Sequence, residues 1–146
     1  MRMAKTTDYV DNGDGTVTDT RTGLMWKQCL EGQSGAGCEG TVGQFNWDDA
    51  MKIPQTVNQR GFAGYHDWRV PTIKELESLV MRGRIRPSIY TEMFPNIPTS
   101  YDSYAWSSSP NTINTSFAWG VYFEYGCSYD YCRSSCNSVR LVRGGQ

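Results

Sequence analysis

The chain lacks any long hydrophobic segment. None of its apolar runs approaches the roughly 18 residues that a membrane-crossing helix needs, so we expect no direct membrane insertion. Residues 1–7 also lack the apolar stretch of an export signal. Charge is nearly balanced, with 14 Lys and Arg against 15 Asp and Glu and a net charge of −1. This balance argues against a general polyanion-binding surface, and we expect no nucleic-acid partner.

Candidates for catalysis are also scarce. The only histidine, His66, precedes residues 67–69 in a segment typical of a packed turn, and no nucleophile is placed beside it. The serines at 107–109 have no nearby base, and no Gly-rich phosphate loop follows a strand. We therefore expect no catalytic residues, no cofactor and no enzymatic activity. A cysteine-using oxidase is the alternative, because cysteines crowd the C-terminal segment.

These cysteines do not have the spacing of a metal site. Cys127, Cys132 and Cys136 follow one another at spacings of five and four, whereas structural zinc sites contain a close Cys-x-x-Cys pair and a fourth ligand. Residues 11–16, rich in Asp, Asn and Gly, lack the distal glutamate of a calcium loop. We expect no bound metal and exposed or variably paired thiols, with zinc and calcium as the less favoured interpretations.

The chain is rich in aromatic residues and glycine. Aromatic residues make up 13%, including nine Tyr and five Trp, and there are 15 Gly. This composition is typical of short strands, turns and long ordered loops rather than a helical bundle. The length of 146 residues fits one domain, which we place at residues 9–146 after a flexible segment 1–8.

Two further cysteines flank a Gly-rich loop. Cys29 and Cys38 are close in sequence and are predicted to form a disulfide, which is typical of an oxidising compartment. Two free thiols in a reducing compartment are the alternative.

Local signals predict several regular elements in the first half of the chain. Turn-forming residues 11–16 separate short β-like runs and indicate a hairpin or meander over residues 9–26. Asn46 is predicted to cap a helix with Asp49 at its third position. Pro54 is expected to end or kink that helix within two turns.

A second helix and three strands are predicted downstream. Thr72 and Glu75 have the spacing of a capping box, Leu76 and Leu79 share one helix face, and Gly83 marks the end. Residues 84–103 are predicted to be a long connection, functional or tied down by its own packing. Strands are predicted around residue 106, over residues 117–123 and over residues 139–143.

Residues 125–138 contain no aliphatic side chain. Such a run cannot supply a core, so we expect a water-facing loop or hairpin held between two core strands. Tyr, Ser, Gly and Asn are also the residues favoured in antibody paratopes. Every residue type in this run can be encoded by changing only the adenines of an AAY asparagine codon, although ordinary loop chemistry gives a similar composition.

Five ordered motifs resemble the DUF1566 family, which includes the C-terminal domain of the Legionella collagen-like adhesin. They are DNGDGTVTD at residues 11–19, TGLMW at 22–26, DWRVPT at 67–72, YAWSSSP at 104–110 and VRLVR at 139–143. The resemblance implies an α+β, C-type-lectin-like fold, with two helices flanking small antiparallel sheets and long ordered loops. It also implies that Trp26, Trp68, Trp106 and Trp119 are structural.

Several members of that family are variable proteins of diversity-generating retroelements, and the aliphatic-free run resembles their variable region. The resemblance then implies a set of ligand-binding positions on the C-terminal surface. They are Asn111, Asn114, Ser116, Tyr122, Tyr125, Cys127, Tyr129, Tyr131, Cys132, Ser134, Ser135 and Cys136.

We therefore expect a non-catalytic binding domain whose partner is a protein or glycan target on a cell surface. The family resemblance favours a secreted or cell-surface location. One alternative is an adhesin of fixed specificity for sulfated or acidic glycans, using residues such as Arg82, Arg84 and Arg86. A structural or oligomerising domain without a soluble ligand is another.

Overall fold

The computed structural model describes residues 6–99 and 103–144. These residues form an α+β domain with two antiparallel sheets and two helices, as expected. One sheet has the strand order β1-β2-β3-β7 and the other has the order β4-β5-β6. In chain order the elements are a 3-10 helix Thr6–Asp8, β1 Tyr9–Asp11, β2 Thr16–Asp19, β3 Leu24–Lys27, α1 Trp47–Arg60, α2 Ile73–Glu77, β4 Tyr104–Pro110, β5 Phe117–Tyr122, β6 Cys127–Cys132 and β7 Val142–Gly144.

The predicted N-terminal meander is confirmed as strands β1 to β3. Its first turn is held by side chains, because the Asp11 carboxylate accepts from the Gly13 amide and the Asp14 carboxylate accepts from the Thr16 amide. Of the expected flexible segment 1–8, residues 1–5 lie outside the described residues. Residues 6–8 form the 3-10 helix, in which Asp8 is buried.

Helix α1 begins where its cap predicts but runs further than expected. Asn46 lies in the extended conformation and accepts from the Asp49 amide, which confirms the cap. The expectation that Pro54 could end the helix within two turns is wrong, because the helix continues to Arg60 with Pro54 inside it. Burial of Ala50 and Val57 in one core cluster holds the turns on both sides of the proline.

Helix α2 has the predicted capping box but is short. Thr72 and Glu75 bond reciprocally at its start. The helix ends at Glu77 rather than continuing toward Gly83, which corrects the expected length. Leu76 and Leu79 are nonetheless both fully buried. The apolar pattern therefore predicted which residues pack into the core, but not the length of the helix.

The core consists of two clusters, one on each side of the β4-β5-β6 sheet. Trp26 lies in the first cluster, whereas Trp68 and Trp106 lie in the second, and all three are buried as expected. Trp119 differs from the expectation, because it is half-buried and belongs to neither cluster. In β5 it lies directly opposite Asp130 of β6.

The long connection after α2 is held by the packing of its own side chains, which was one of the two alternatives expected for it. Ile89, Tyr90 and Phe94 are buried in the first cluster. Residues 100–102 of this connection lie outside the described residues.

The predicted disulfide between Cys29 and Cys38 is present, with a Cα–Cα distance of 5.1 Å. Its loop is tied to the long connection, since the Asn96 amide group donates to the Cys38 carbonyl and the Gln33 amide group donates to the Asn96 carbonyl.

Candidate ligand-binding surface

The aliphatic-free run contains a regular strand, β6, at one edge of its sheet. Six consecutive pairs join it to β5, from Phe117 opposite Cys132 to Tyr122 opposite Cys127. Exposed and half-buried residues alternate along β6, so that Tyr129 and Tyr131 lie on one face with 53% and 38% of their surface exposed. The run therefore presents these side chains on the second strand of a β5-β6 hairpin, which agrees with the hairpin alternative and not with a loop.

A buried tyrosine supports this row of exposed tyrosines from below. The Tyr104 hydroxyl donates to the Tyr129 carbonyl at 2.7 Å, and the Tyr104 ring meets the Tyr131 ring edge-on at 4.6 Å between centroids. Both contacts pass over Gly120, where an added Cβ would lie 2.5 Å from the Tyr104 ring. Burial raises the pKa of Tyr104 well above that of an ordinary tyrosine, because the phenolate would lose its hydration.

At the β5-β6 turn, two more tyrosines extend the surface. The rings of Tyr122 and Tyr125 lie 6.2 Å apart, and the Tyr122 hydroxyl donates to the Glu124 carboxylate. Arg86 donates to the Tyr125 hydroxyl at 2.6 Å, and its guanidinium lies 5.5 Å from the Tyr125 ring centroid. Arg86 was expected as a glycan contact but not among the twelve positions of the C-terminal surface. The distance of 39 positions from Tyr125 leaves no local sequence signal for the contact.

The turn between β4 and β5 forms the other end of the surface. Two of the expected residues hold this turn, since the Asn111 side chain accepts from the Asn114 amide and the Asn114 side chain accepts from the Ser116 amide. The Asn111 side chain also donates to the Asp130 carboxylate at 2.8 Å. Ile113 at the tip is 95% exposed and was not among the expected positions.

The three C-terminal cysteines are free thiols distributed over both faces of β6 and the following turn. Cys127 and Cys136 are exposed, whereas Cys132 is half-buried. The Cys132 sulfur lies 3.1 Å from the Ser134 hydroxyl, and hydrogen bonds from Ser134 lower the pKa of the Cys132 thiol. Within residues 6–99 and 103–144, no group of three or more His, Cys, Asp or Glu side chains has the arrangement of a metal site.

The water-facing part of the run ends at Cys136, which corrects its expected boundary. Asn137 and Ser138 are buried. The backbone of Asn137 pairs with Phe45, and both the amide and the hydroxyl of Ser138 donate to the Tyr104 carbonyl. These two residues belong to the scaffold because their hydrogen bonds join the run to the core.

The expected positions therefore follow one sheet edge and its two flanking turns. Tyr122, Tyr125 and Cys127 lie at one end, Tyr129 and Tyr131 in the middle, and the remaining positions at the other end. Those remaining positions are Asn111, Asn114, Ser116, Cys132, Ser134, Ser135 and Cys136.

A cavity of about 400 Å³ lies elsewhere, between the β1-β2 turn and the disulfide loop. Its polar side chains bond to the protein itself. Asp14 accepts from Thr16, Gln28 donates to Asp11, and Lys27 pairs with Glu31 at 2.8 Å. The cavity therefore offers few free polar groups to a ligand.

A sequence model of the Lcl C-terminal domain family matches residues 15–143. The chain belongs to this family. The match runs from the turn before β2 into β7 and includes the whole of β6. It confirms the DUF1566-type family expected from the five motifs. No curated protein matches the chain. Neither helix among the described residues has the length and apolar character needed to cross a membrane.

Proposed function

We propose that this domain is a non-catalytic ligand-binding module that recognises a protein or cell-surface target through the exposed tyrosines of β6 and its flanking turns. One observation carries the proposal. Tyr129 and Tyr131 are exposed on a strand whose backbone and rings rest on the buried Tyr104. Tyrosines on a rigid support give large contact areas at a small cost in side-chain entropy.

The finer architecture that we propose is a C-type-lectin-like fold. The two helices, the two small antiparallel sheets and the long ordered connections support it. A secreted or cell-surface setting goes with the proposal, because a disulfide such as Cys29–Cys38 is typical of oxidising compartments.

The binding surface can be tested with a phage-displayed library of random peptides and an array of neutral, acidic and sulfated glycans as probes. The matched variants are Tyr125→Ala and Tyr129→Ala, with Val10→Ala as the control, because Val10 is exposed on β1 of the other sheet. We expect probes that bind the unchanged domain to lose about tenfold or more in affinity to each tyrosine variant, and less than about twofold to the control. Binding that is unaffected by either tyrosine variant would contradict the proposal.

A sulfated-glycan adhesin is a second candidate, because Arg86 lies against Tyr125 at one end of the same surface and is largely exposed. Charge-driven binding weakens steeply with ionic strength. If heparin binds with a steep salt dependence, and Arg82→Ala and Arg86→Ala weaken it while Tyr129→Ala does not, the glycan function replaces the first proposal.

We also propose that the surface is diversified by a retroelement. The exposed residues of the run are types that adenine changes in an AAY codon can produce. The genomic neighbourhood tests this directly. We expect a reverse transcriptase gene and an adenine-rich near-copy of codons 104–143. Their absence would remove the diversification proposal and leave the binding proposal standing.

A further inference from the structure

Strand β6 has one partner strand in the described part of the chain. It lies at the end of the order β4-β5-β6, and its six pairs with β5 have no register shift. An edge strand presents a row of backbone amides and carbonyls on its outer side, which is a template for another strand.

The hydrogen-bond pattern shows which backbone groups face outward. The Arg133 amide donates to the Ser116 carbonyl at 2.9 Å, in the same register that continues through β5 and β6. In an antiparallel pair, alternate residues bond to the partner strand. The backbone groups of Tyr129 and Tyr131 therefore face β5, and those of Ser128 and Asp130 face away from it. Among the described residues, no backbone bond is made by Ser128 or Asp130 on that outer side.

This edge lacks most of the features that usually prevent strand addition. Natural edges are protected by short strand length, charged side chains (above all lysine), proline, bulges or a covering segment. Strand β6 contains no lysine and no proline, it pairs with β5 without a bulge, and its one charged residue is Asp130. The β4-β5 pair, by contrast, shifts register between Trp106 and Pro110.

We propose that β6 binds an extended peptide segment of a protein target as a fourth strand of the sheet. This inference rests on the proposed binding function and names the class of partner. Main-chain hydrogen bonds to Ser128 and Asp130 would supply affinity, and alternate side chains would supply selectivity.

The two faces of β6 define the side chains of that segment. One face carries Tyr129 and Tyr131, which fit small or aromatic residues. The other face carries Asp130 and the Glu77 carboxylate, which accepts from the Ser128 hydroxyl at 2.6 Å. The segment is therefore a foreign peptide with Lys or Arg at alternate positions.

A second copy of this chain fits the edge less well. Antiparallel pairing of two identical edges requires a two-fold axis normal to the sheet. This symmetry places the same face of both copies on the same side of the joined sheet. The Asp130 and Glu77 carboxylates of both copies would then line one shared face, and like charges on neighbouring strands repel.

The probe for this inference is a pool of nine-residue peptides that alternate Lys or Arg with Val, Thr or Tyr. We expect pool members to bind and to slow hydrogen exchange at the Ser128 and Asp130 amides. In the tightest member, N-methylation of the amides that face β6 should cost about tenfold in affinity, and methylation of the intervening amides less than about twofold. Asp130→Asn should weaken binding severalfold, and Asp48→Asn on α1 should have no effect.

The outcomes separate this inference from the function on which it rests. Strand addition is wrong if no pool member binds. It is also wrong if methylation of the amides that face β6 weakens binding no more than methylation of the intervening amides. If probes from the phage library or glycan array still depend on Tyr129, the binding function stands without it. If sedimentation shows a dimer that Asp130→Lys disrupts, the occupant is a second copy and the proposal of a foreign peptide is overturned.

Discussion

The hydroxyl of Tyr104 donates to the carbonyl of Tyr129 at 2.7 Å, across a strand that has a glycine at the crossing point. This bond joins the buried centre of the sheet to its exposed edge. Through it, and through the ring contact with Tyr131 at 4.6 Å, the core fixes the strand that carries the candidate surface. The hydrogen bond reaches the Tyr129 backbone, so it holds the strand without involving the Tyr129 side chain.

Gly120 should be the least replaceable residue of this arrangement. A Cβ at this position would lie 2.2 Å from the Ala105 carbonyl oxygen and 2.5 Å from the Tyr104 ring. We expect Gly120→Ala to lower the free energy of unfolding by about 1–3 kcal/mol, measured by denaturant titration. The control is Gly37→Ala, because a Cβ there meets only the flexible Glu39 side chain at 3.4 Å or more. Equal losses in the two variants would contradict the close approach at Gly120.

The buried tyrosines should make the domain sensitive to alkali. Burial raises the pKa of Tyr104 and of Tyr9, so these phenols stay protonated in the folded state while those of the unfolded chain ionise near pH 10. Their stabilising contribution is complete below that pH and is lost as the pH rises toward the pKa values of these two tyrosines in the folded state. We expect the unfolding free energy to fall above about pH 10, and Tyr104→Phe to reduce the slope. The exposed Tyr125→Phe is the control, and an unchanged slope in Tyr104→Phe would count against the assignment.

Cys132 should be the most reactive of the three free thiols. Hydrogen bonds from Ser134 lower its pKa, so its thiolate fraction is larger at neutral pH than that of an ordinary cysteine. We expect iodoacetamide at pH 7 to alkylate Cys132 several times faster than the more exposed Cys127, as followed by peptide mass spectrometry. Ser134→Ala should reduce the difference, because it removes the side-chain hydrogen bond and keeps the backbone one, and Ser135→Ala should leave it unchanged. Faster labelling of Cys127 would show that exposure, rather than the hydrogen bonds, sets the rate.

The disulfide loop should contribute to stability through loop closure. Cys29 and Cys38 are separated by nine positions, and their loop bonds to Asn96 in the long connection. We expect the Cys29→Ser and Cys38→Ser double variant to lose about 2–3 kcal/mol of unfolding free energy. Reducing agent should have a comparable effect on the unchanged domain and none on the double variant. A double variant as stable as the original would show that the hydrogen bonds alone fix the loop.

Local signals predicted most of the elements and failed where packing decides. Asn46 and Thr72 identified both helix starts, because caps are satisfied by residues within one turn. The predicted helix ends were wrong, because α1 is longer and α2 is shorter than expected. Pro54 is accommodated inside α1, and α2 stops before Leu79, because tertiary burial sets where each helix ends.

Composition predicted which segment forms the candidate surface, but it did not predict which residues contact one another there. The absence of aliphatic residues located the exposed run. Its end was not predicted, because Asn137 and Ser138 are buried by bonds to residues distant in sequence. The contact of Arg86 with Tyr125 is also non-local. Ile113 had a recognisable signal, an isolated aliphatic residue within a polar turn, but its exposure depends on how that turn folds.

The most direct measurement is the unfolding free energy of a variant in which Tyr125, Tyr129 and Tyr131 are all replaced by alanine. We expect a cooperative transition with an unchanged denaturant dependence and a loss of at most about 2 kcal/mol, mostly from the contact of Tyr131 with Tyr104. A loss above about 4 kcal/mol, or a non-cooperative transition, would mean that these tyrosines hold the fold together and are not a surface free to bind.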